Sequence, residues 1–397
     1  MKKTVKILSL IAFLAVIGFS IVIFSCEDEE NVINFPPPLE PAHLVRQNFN
    51  DTSATEFVAG IKLGWNLGNT LDAGGQKNLT VAQMETGWGN PVTTEQNFIT
   101  LKNKGFNTIR IPVSWYKTVD DDYSIREDWL IRVTEIVNYA DKNNMYIILN
   151  THHDTSIFRL MNTNVDAGLA AFEIIWKQIA LQFRNYNEKL IFEALNEPRT
   201  PGSVSQWDGG TEEEQKNLNK YYDVFVKTVR NTGGNNNKRF LLINPYAASA
   251  ESNAMRALVL PKDSADKKLI VSVHFYEPYN FALDPSSPVN TWDKNKASDI
   301  VPIYTRVDRA NSLFISKGIP VIIGEFGAMN KENEEVRAQW AEYYVGYARG
   351  KGIPCVWWDN GVFEGTGEKF GILDRRSNTF KFESVVDALL KGAGVLP

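Results

Sequence analysis

Eight short apolar runs, each followed by a stretch of helical periodicity, constrain this chain more than any other feature. The runs are Gly64–Gly68, Thr108–Val113, Tyr146–His152, Leu190–Leu195, Phe240–Asn244, Leu269–His274, Pro320–Phe326 and Pro354–Trp358. Most are rich in Ile and Val without polar interruption, the pattern of parallel strands buried on both faces. Amphipathic segments such as Glu127–Asn143, Leu169–Tyr186 and Glu213–Arg230 lie between them. Eight β-then-α units predict an α/β fold, a (β/α)8 TIM barrel. Such a barrel takes about 250 residues or more as one domain, so 51–397 reads as a single domain. The long irregular interval from Glu277 to about Ile303 follows the sixth strand and is expected to be an active-site loop.

Polar residues gather where the strands end, which is where barrels of this kind build their sites. Arg110 lies on the second strand, His152-His153 ends the third, and the fourth runs into Asn196-Glu197-Pro198. His274-Phe275-Tyr276 ends the sixth, Glu325 the seventh and Trp357-Trp358 the eighth. Titratable groups at the ends of buried strands are costly unless they serve chemistry. Composition narrows the choice. A net charge of −5 argues against a nucleic-acid partner, and two cysteines cannot build a disulfide framework or a Cys-rich zinc site. The four histidines leave a metal-dependent hydrolase as a rival, with His152, His153, Asp154 and His274 as ligands. Barrels of that kind usually open with His-x-His on the first strand, where this chain has Trp65-Asn66.

Glu197 and Glu325 end strongly apolar strands and can converge across the rim. Paired carboxylates suit glycosidic cleavage: one protonates the leaving oxygen while the other attacks or activates water. Whichever of the two is the acid, beside an ionised partner it is expected to carry a raised pKa and start protonated, and the resemblance given below makes that one Glu197. Apolar sugar faces stack on aromatic rings. Trp358 is the first choice for a platform, Trp115, Trp65 and Trp88 are weaker ones, and Trp357 reads as packing. Trp129, Trp176 and Trp340 fall in helical patterns and read as core. Adjacent residues on a strand face opposite ways, so one of His152 and His153 is expected to face the pocket. Asn66 is a candidate sugar contact or a barrel-floor hydrogen bond, and Glu193 a structural partner of Arg110.

Gly64-Trp65-Asn66-Leu67-Gly68-Asn69-Thr70-Leu71-Asp72, Arg110-Ile111-Pro112-Val113, Asn196-Glu197-Pro198 and Gly324-Glu325-Phe326-Gly327 resemble glycoside hydrolase family 5, the family A cellulases. His274-Phe275-Tyr276 and Trp357-Trp358-Asp359-Asn360-Gly361 fit the same pattern, and Gly89-Asn90-Pro91 is similar to its bacterial endoglucanase branch. The resemblance runs from about Phe57 to Leu390. It implies a retaining endo-β-1,4-glucanase acting on cellulose-type chains or mixed-linkage glucan, monomeric, without cofactor or metal. Xyloglucan or mannan is the alternative substrate, and a non-catalytic surface glycan-binding protein the alternative class. The resemblance makes Glu197 the acid/base and Glu325 the nucleophile. Asn196 would hold the sugar 2-hydroxyl, Arg110 would keep Glu325 ionised and Tyr276 would hydrogen-bond it. His274 would orient Glu197, His152 would face the pocket, and His153 would contact substrate or be structural.

The first 50 residues read as an address and a spacer. Lys2, Lys3 and Lys6 precede the uncharged apolar run Ile7 to Phe24, and residues 1–25 read as an export signal. Ser25-Cys26 followed by Glu27-Asp28-Glu29-Glu30 resembles a bacterial lipoprotein signal with a surface-export tag, Cys26 being the acylated residue. An uncleaved anchor is the alternative. Residues 26–50, acidic and carrying Pro36-Pro37-Pro38 and Pro41, read as a semi-rigid tether. The expectation is an extracytoplasmic protein, lipid-anchored to the outer membrane or surface of a Gram-negative bacterium.

Overall fold

The computed structural model describes residues 40–73 and 77–397. The expected signal, Cys26 and the tether as far as residue 39 lie outside the described residues. Eight parallel strands close a barrel in chain order: β1 (Leu63–Leu67), β2 (Thr108–Ile111), β3 (Tyr146–Asn150), β4 (Leu190–Glu193), β5 (Leu241–Ile243), β6 (Leu269–His274), β7 (Val321–Phe326) and β8 (Cys355–Asp359). β8 pairs back onto β1, with Trp65 opposite Trp357. Several strands are shorter than their apolar runs because side chains take over from the ladder. Past β2 the Val113 N–H donates to Asn150 Oδ1, not to a strand carbonyl.

Each crossover carries at least one helix, and the sequence shows why they form. Helix Glu127–Lys142 buries Trp129, Leu130, Val133, Ile136, Val137 and Ala140, one stripe at helical spacing. Glu127 and Asp128 lie in its first turn and Lys142 in its last, where each suits the helix dipole. Helix Glu212–Asn231 starts from a capping box, Thr211 with Glu214, and buries Leu218, Tyr221, Tyr222, Phe225, Val226 and Val229. The interval expected to be loop up to Ile303 is helical from Ala297, since helix Ala297–Leu313 accommodates Pro302 inside it. A shorter helix, Tyr279–Ala282, occupies part of the remainder.

Along the barrel axis the side chains form layers, because alternate residues of a strand share a face. Ile148, Ile191, Leu242, Ile270, Ile322 and Val356 make an apolar floor. Helix Ala54–Ala59 packs Phe57 and Val58 against that floor. Two residues further along the strands come Asn66, Arg110, Asn150, Glu193, Asn244, Ser272 and Trp358, and all but Trp358 are polar. The site is built on this second layer. Ahead of the barrel, Ala42 N–H donates to the Gln182 carbonyl and Gln47 N–H to that of Asn185. The end of the expected tether is therefore held at the pole where the strands begin, opposite the rim.

Candidate active site

Arg110 organises the second layer. It is fully buried and spends its guanidinium on four partners: Nε on Glu193 (2.6 Å), Nη1 on Asn66 (2.9 Å) and Glu325 (2.6 Å), and Nη2 on Asn196 Oδ1 (2.7 Å). One cation thus ties a structural carboxylate below to the nucleophile candidate above. Asn196, with its oxygen taken, keeps its amide N–H for a ligand. Glu193 also accepts from Asn150 and Asn244, the structural role expected of it.

Glu325 reaches the mouth through an irregularity. The β6–β7 register shifts between Val273 and His274, and the β7–β8 register between Ile323 and Phe326. Such shifts re-aim a side chain. Gly324 permits the crowding there: a Cβ on it would lie 2.4 Å from Ser272 Oγ and 2.9 Å from His274 Nε2. Glu325 then accepts Arg110 on one oxygen and Tyr276 O–H on the other, at 3.0 Å. Glu197 lies beyond the end of β4, with His274 Nδ1 3.1 Å from its Oε1 and Arg199 Nη1 3.4 Å from its Oε2. Ligating atoms of Glu197, His274 and Glu325 all fall within 4.8 Å of one another.

The electrostatics correct one expectation. Burial pushes the carboxyls of both Glu197 and Glu325 upward. At Glu197 the hydrogen bond and charge of His274, with Arg199, outweigh burial and bring the pKa below the ordinary value. At Glu325 burial prevails over His274 and Arg110, and its pKa is raised. The expectation of a raised Glu197 pKa overlooked the His274 contact at 3.1 Å, which together with Arg199 favours the carboxylate form.

The aromatic candidates divide by burial. Trp358 faces the mouth and lies parallel to the His152 ring at 5.7 Å and 0°. Gly68 makes room for it, since a Cβ there would be 2.9 Å from the indole. Trp357 is packing, its Nε1 donating to the Phe370 carbonyl, and Trp129, Trp176 and Trp340 are core. Trp115, expected as a possible sugar contact, is fully buried with its Nε1 on the Asn150 carbonyl, because the chain past β2 turns its indole inward. Trp65 is likewise buried, donating to Asp359. Asn66 is a floor residue and not a sugar contact: its amide donates to the carbonyls of Gly324, Val356 and Trp357 and its oxygen accepts Arg110. Trp88 remains 48% exposed, 5.7 Å from the His153 ring.

His152 and His153 both stand at the rim, contrary to the strand-alternation expectation, because β3 ends at Asn150 and alternation ends with it. Their ring centroids are 4.4 Å apart. Together with Asp72 they offer ligand atoms within 4.8 Å of one another. The two Asp72 oxygens, however, are already held by the Asn69 and Thr70 N–H groups at 3.0 and 2.6 Å. Asp154, expected as a ligand in the metal reading, instead accepts the Trp115 and Tyr116 N–H groups at 2.7 Å. Sequence reasoning missed Arg199 and Trp207, in the loop after β4. The Arg199 guanidinium lies 4.4 Å over the half-exposed Trp207 ring. An arginine two residues past Glu197 was the available signal.

Comparison with known proteins agrees with this geometry. The description "Cellulase (glycosyl hydrolase family 5)" matches residues 71–364. The chain is 44% identical over 345 residues to Endoglucanase A of Clostridium longisporum, covering 86% of this chain and 66% of that protein. It is similar to the structure of a GH5-4 broad specificity endoglucanase from Ruminococcus champanellensis with bound cellotriose. There the TM-score is 0.84 and the identity 42%, over 87% of this chain and 100% of that one. A glycoside hydrolase 5 lichenase from Caldicellulosiruptor sp. F32 in complex with cellotetraose gives a TM-score of 0.83 at 41% identity, over 90% and 99%. With the family model matching residues 71–364 and two carboxylates meeting at the rim, this chain belongs to glycosyl hydrolase family 5, the cellulases, and is a glycoside hydrolase.

Proposed function

We propose that this enzyme cleaves internal β-1,4 bonds of β-glucans, cellulose-type chains and mixed-linkage glucan, with retention through a covalent glycosyl-enzyme. The observation that carries the mechanism is that a carboxylate oxygen of Glu197 and one of Glu325 lie within 4.8 Å of each other. Retaining enzymes hold their carboxyls about 5–5.5 Å apart, whereas inverting ones leave about 6.5–9.5 Å for a water. The substrate reading rests on the relatives' cello-oligosaccharide complexes and their endoglucanase and lichenase activities.

In the first step Glu325 attacks the anomeric carbon while Glu197, in its acid form, gives its proton to the departing glycosidic oxygen. The developing charge at the sugar ring faces Glu325. Asn196, oriented by Arg110, offers its N–H to the 2-hydroxyl, a bond that strengthens in the transition state. In the second step Glu197 takes a proton from water, the resulting oxygen bonds to the anomeric carbon and Glu325 leaves. Trp358 supports the apolar face of the cleaved sugar. Arg199, which lies over the Trp207 ring, adjoins the acid/base.

Reducing-sugar release from carboxymethylcellulose, mixed-linkage glucan, xyloglucan and mannan tests the substrate. Activity on the first two is expected; strong activity on mannan alone would overturn the reading. The Tyr276 hydroxyl gives a pH test. Donating to ionised Glu325 favours the charged form, so Tyr276→Phe should raise the Glu325 pKa and move the acid limb of kcat upward, by about one unit. An unmoved acid limb would remove Tyr276 from the nucleophile's shell.

We also propose that the enzyme is extracytoplasmic and lipid-anchored through Cys26. Lipid anchoring at Cys26 accords with the sequence, and the described chain enters at the pole opposite the rim. Cys26→Ser should shift the enzyme from the membrane fraction to the soluble one; a protein that stays in the membrane would favour an uncleaved anchor.

A further inference from the structure

Asn150 ends β3 in the polar second layer, and its amide orientation is settled by partners that admit one choice each. The Val113 N–H can only donate, and it meets Oδ1 at 3.1 Å. Glu193 Oε2, which already receives Arg110 Nε, meets Nδ2 at 3.1 Å and can only accept from it. The same Nδ2 lies 3.1 Å from His152 Nδ1. An amide NH2 has no lone pair to offer, so Nδ1 must be the acceptor and the ring hydrogen must sit on Nε2. His152 Nε2 makes no hydrogen bond among the described residues, while the ring lies parallel to Trp358.

We propose that Asn150 is a positioning residue that locks His152 with its ring hydrogen on Nε2, so that His152 presents one fixed hydrogen-bond donor to the sugar held over Trp358. The identity of that ligand as a sugar rests on the function proposed above; the lock itself does not. Burial holds the His152 pKa well below its ordinary value, so the ring keeps a single hydrogen. Which nitrogen carries it then decides whether the ring gives or receives a hydrogen bond. A sugar hydroxyl can do either, so an unlocked ring would lose selectivity for one hydroxyl orientation. The lock also extends the reach of Glu193. Through Arg110 it steadies Glu325, and through Asn150 it fixes the tautomer of His152. Two functional side chains are thus oriented from one buried carboxylate.

With only four histidines in the chain, the test is direct. The enzyme is labelled with 15N-histidine and long-range proton–nitrogen spectra are recorded at neutral pH without substrate, the His152 signals being assigned by loss in His152→Gln. The expected wild-type spectrum has a protonated Nε2 and a bare Nδ1. In Asn150→Asp the new carboxylate can only accept, which should move the hydrogen to Nδ1. kcat/KM on cello-oligosaccharides should then fall about 10- to 100-fold, as for one lost and one mismatched hydrogen bond. Asn150→Ala, which places no second carboxylate beside Glu193, should give mixed tautomers and a smaller loss. A wild-type ring protonated on Nδ1 overturns the proposal. So does an Asn150→Ala enzyme that loses activity or melting temperature with the His152 tautomer unchanged, which would make Asn150 structural. If the tautomer shifts as expected while activity on glucans is absent even in the wild type, the lock stands and the substrate reading fails.

Discussion

Glu325→Gln is expected to lower kcat on β-glucan at least ~10³-fold while cello-oligosaccharide binding is retained, as for removal of a key catalytic group. The substitution is a narrow one. Arg110 Nη1 donates to Glu325 Oε1 and Tyr276 O–H to Oε2. A glutamine can keep its oxygen toward Arg110 and turn its NH2 toward Tyr276, whose hydroxyl then accepts. The fold and the Trp358 platform remain, and the nucleophile is lost. A factor of ~10³ corresponds to about 4 kcal/mol of transition-state stabilisation. Turnover measured on mixed-linkage glucan, beside binding of cellotetraose by calorimetry, separates the two effects. Unchanged turnover would sink the nucleophile assignment, and unchanged turnover with normal binding would point to a single-carboxylate mechanism.

The fold was legible because its signal is local. Each strand is an apolar run buried on both faces, and runs of this kind survive reading one at a time. Helix Ala297–Leu313 was hidden in part because Pro302 interrupts its pattern. The carboxylate pair was legible for a related reason: Glu197 and Glu325 end strands whose apolar residues make them conspicuous. What failed were the readings of Trp115 and of the His152-His153 pair, which needed the direction of a side chain beyond a strand end. Trp115 follows β2 and Trp358 lies within β8; one indole packs into the core with its Nε1 on the Asn150 carbonyl, and the other lies parallel to the His152 ring. His152 and His153 share the rim because alternation stops with the ladder at Asn150. The Glu197 pKa turned on His274, 77 residues away in sequence and 3.1 Å away in space. Asn150 carried no signal of its own. Its role exists only because Val113, Glu193 and His152 meet around it.

Arg110→Met is expected to cost both stability and activity, which distinguishes it from Glu325→Gln. Methionine fills much of the volume but supplies no charge, so Glu193 and Glu325 lose the cation that holds them in a fully buried layer. Breaking one buried pair by removing a partner typically costs about 3–5 kcal/mol, and total stabilities run about 5–15 kcal/mol. Here one guanidinium serves two carboxylates. The urea midpoint should fall clearly at neutral pH, and kcat/KM at least ~10³-fold, since Asn196 loses its orienting contact and Glu325 the charge that favours its ionised form. The pH dependence follows from the sign of the shift. Without Arg110 the Glu325 pKa, already above its ordinary 4.5, rises further in the folded state. A carboxyl with a raised folded pKa binds its proton more tightly folded than unfolded, so it destabilises the fold above that pKa. Stability is regained as pH falls from the raised value toward 4.5, where both states are protonated. The stability gap between Arg110→Met and wild type should therefore narrow in mildly acidic buffer. Equal urea midpoints at neutral pH would show that Arg110 does not hold this layer together. A gap that widens on acidification would show that neither carboxylate is the group left without a partner.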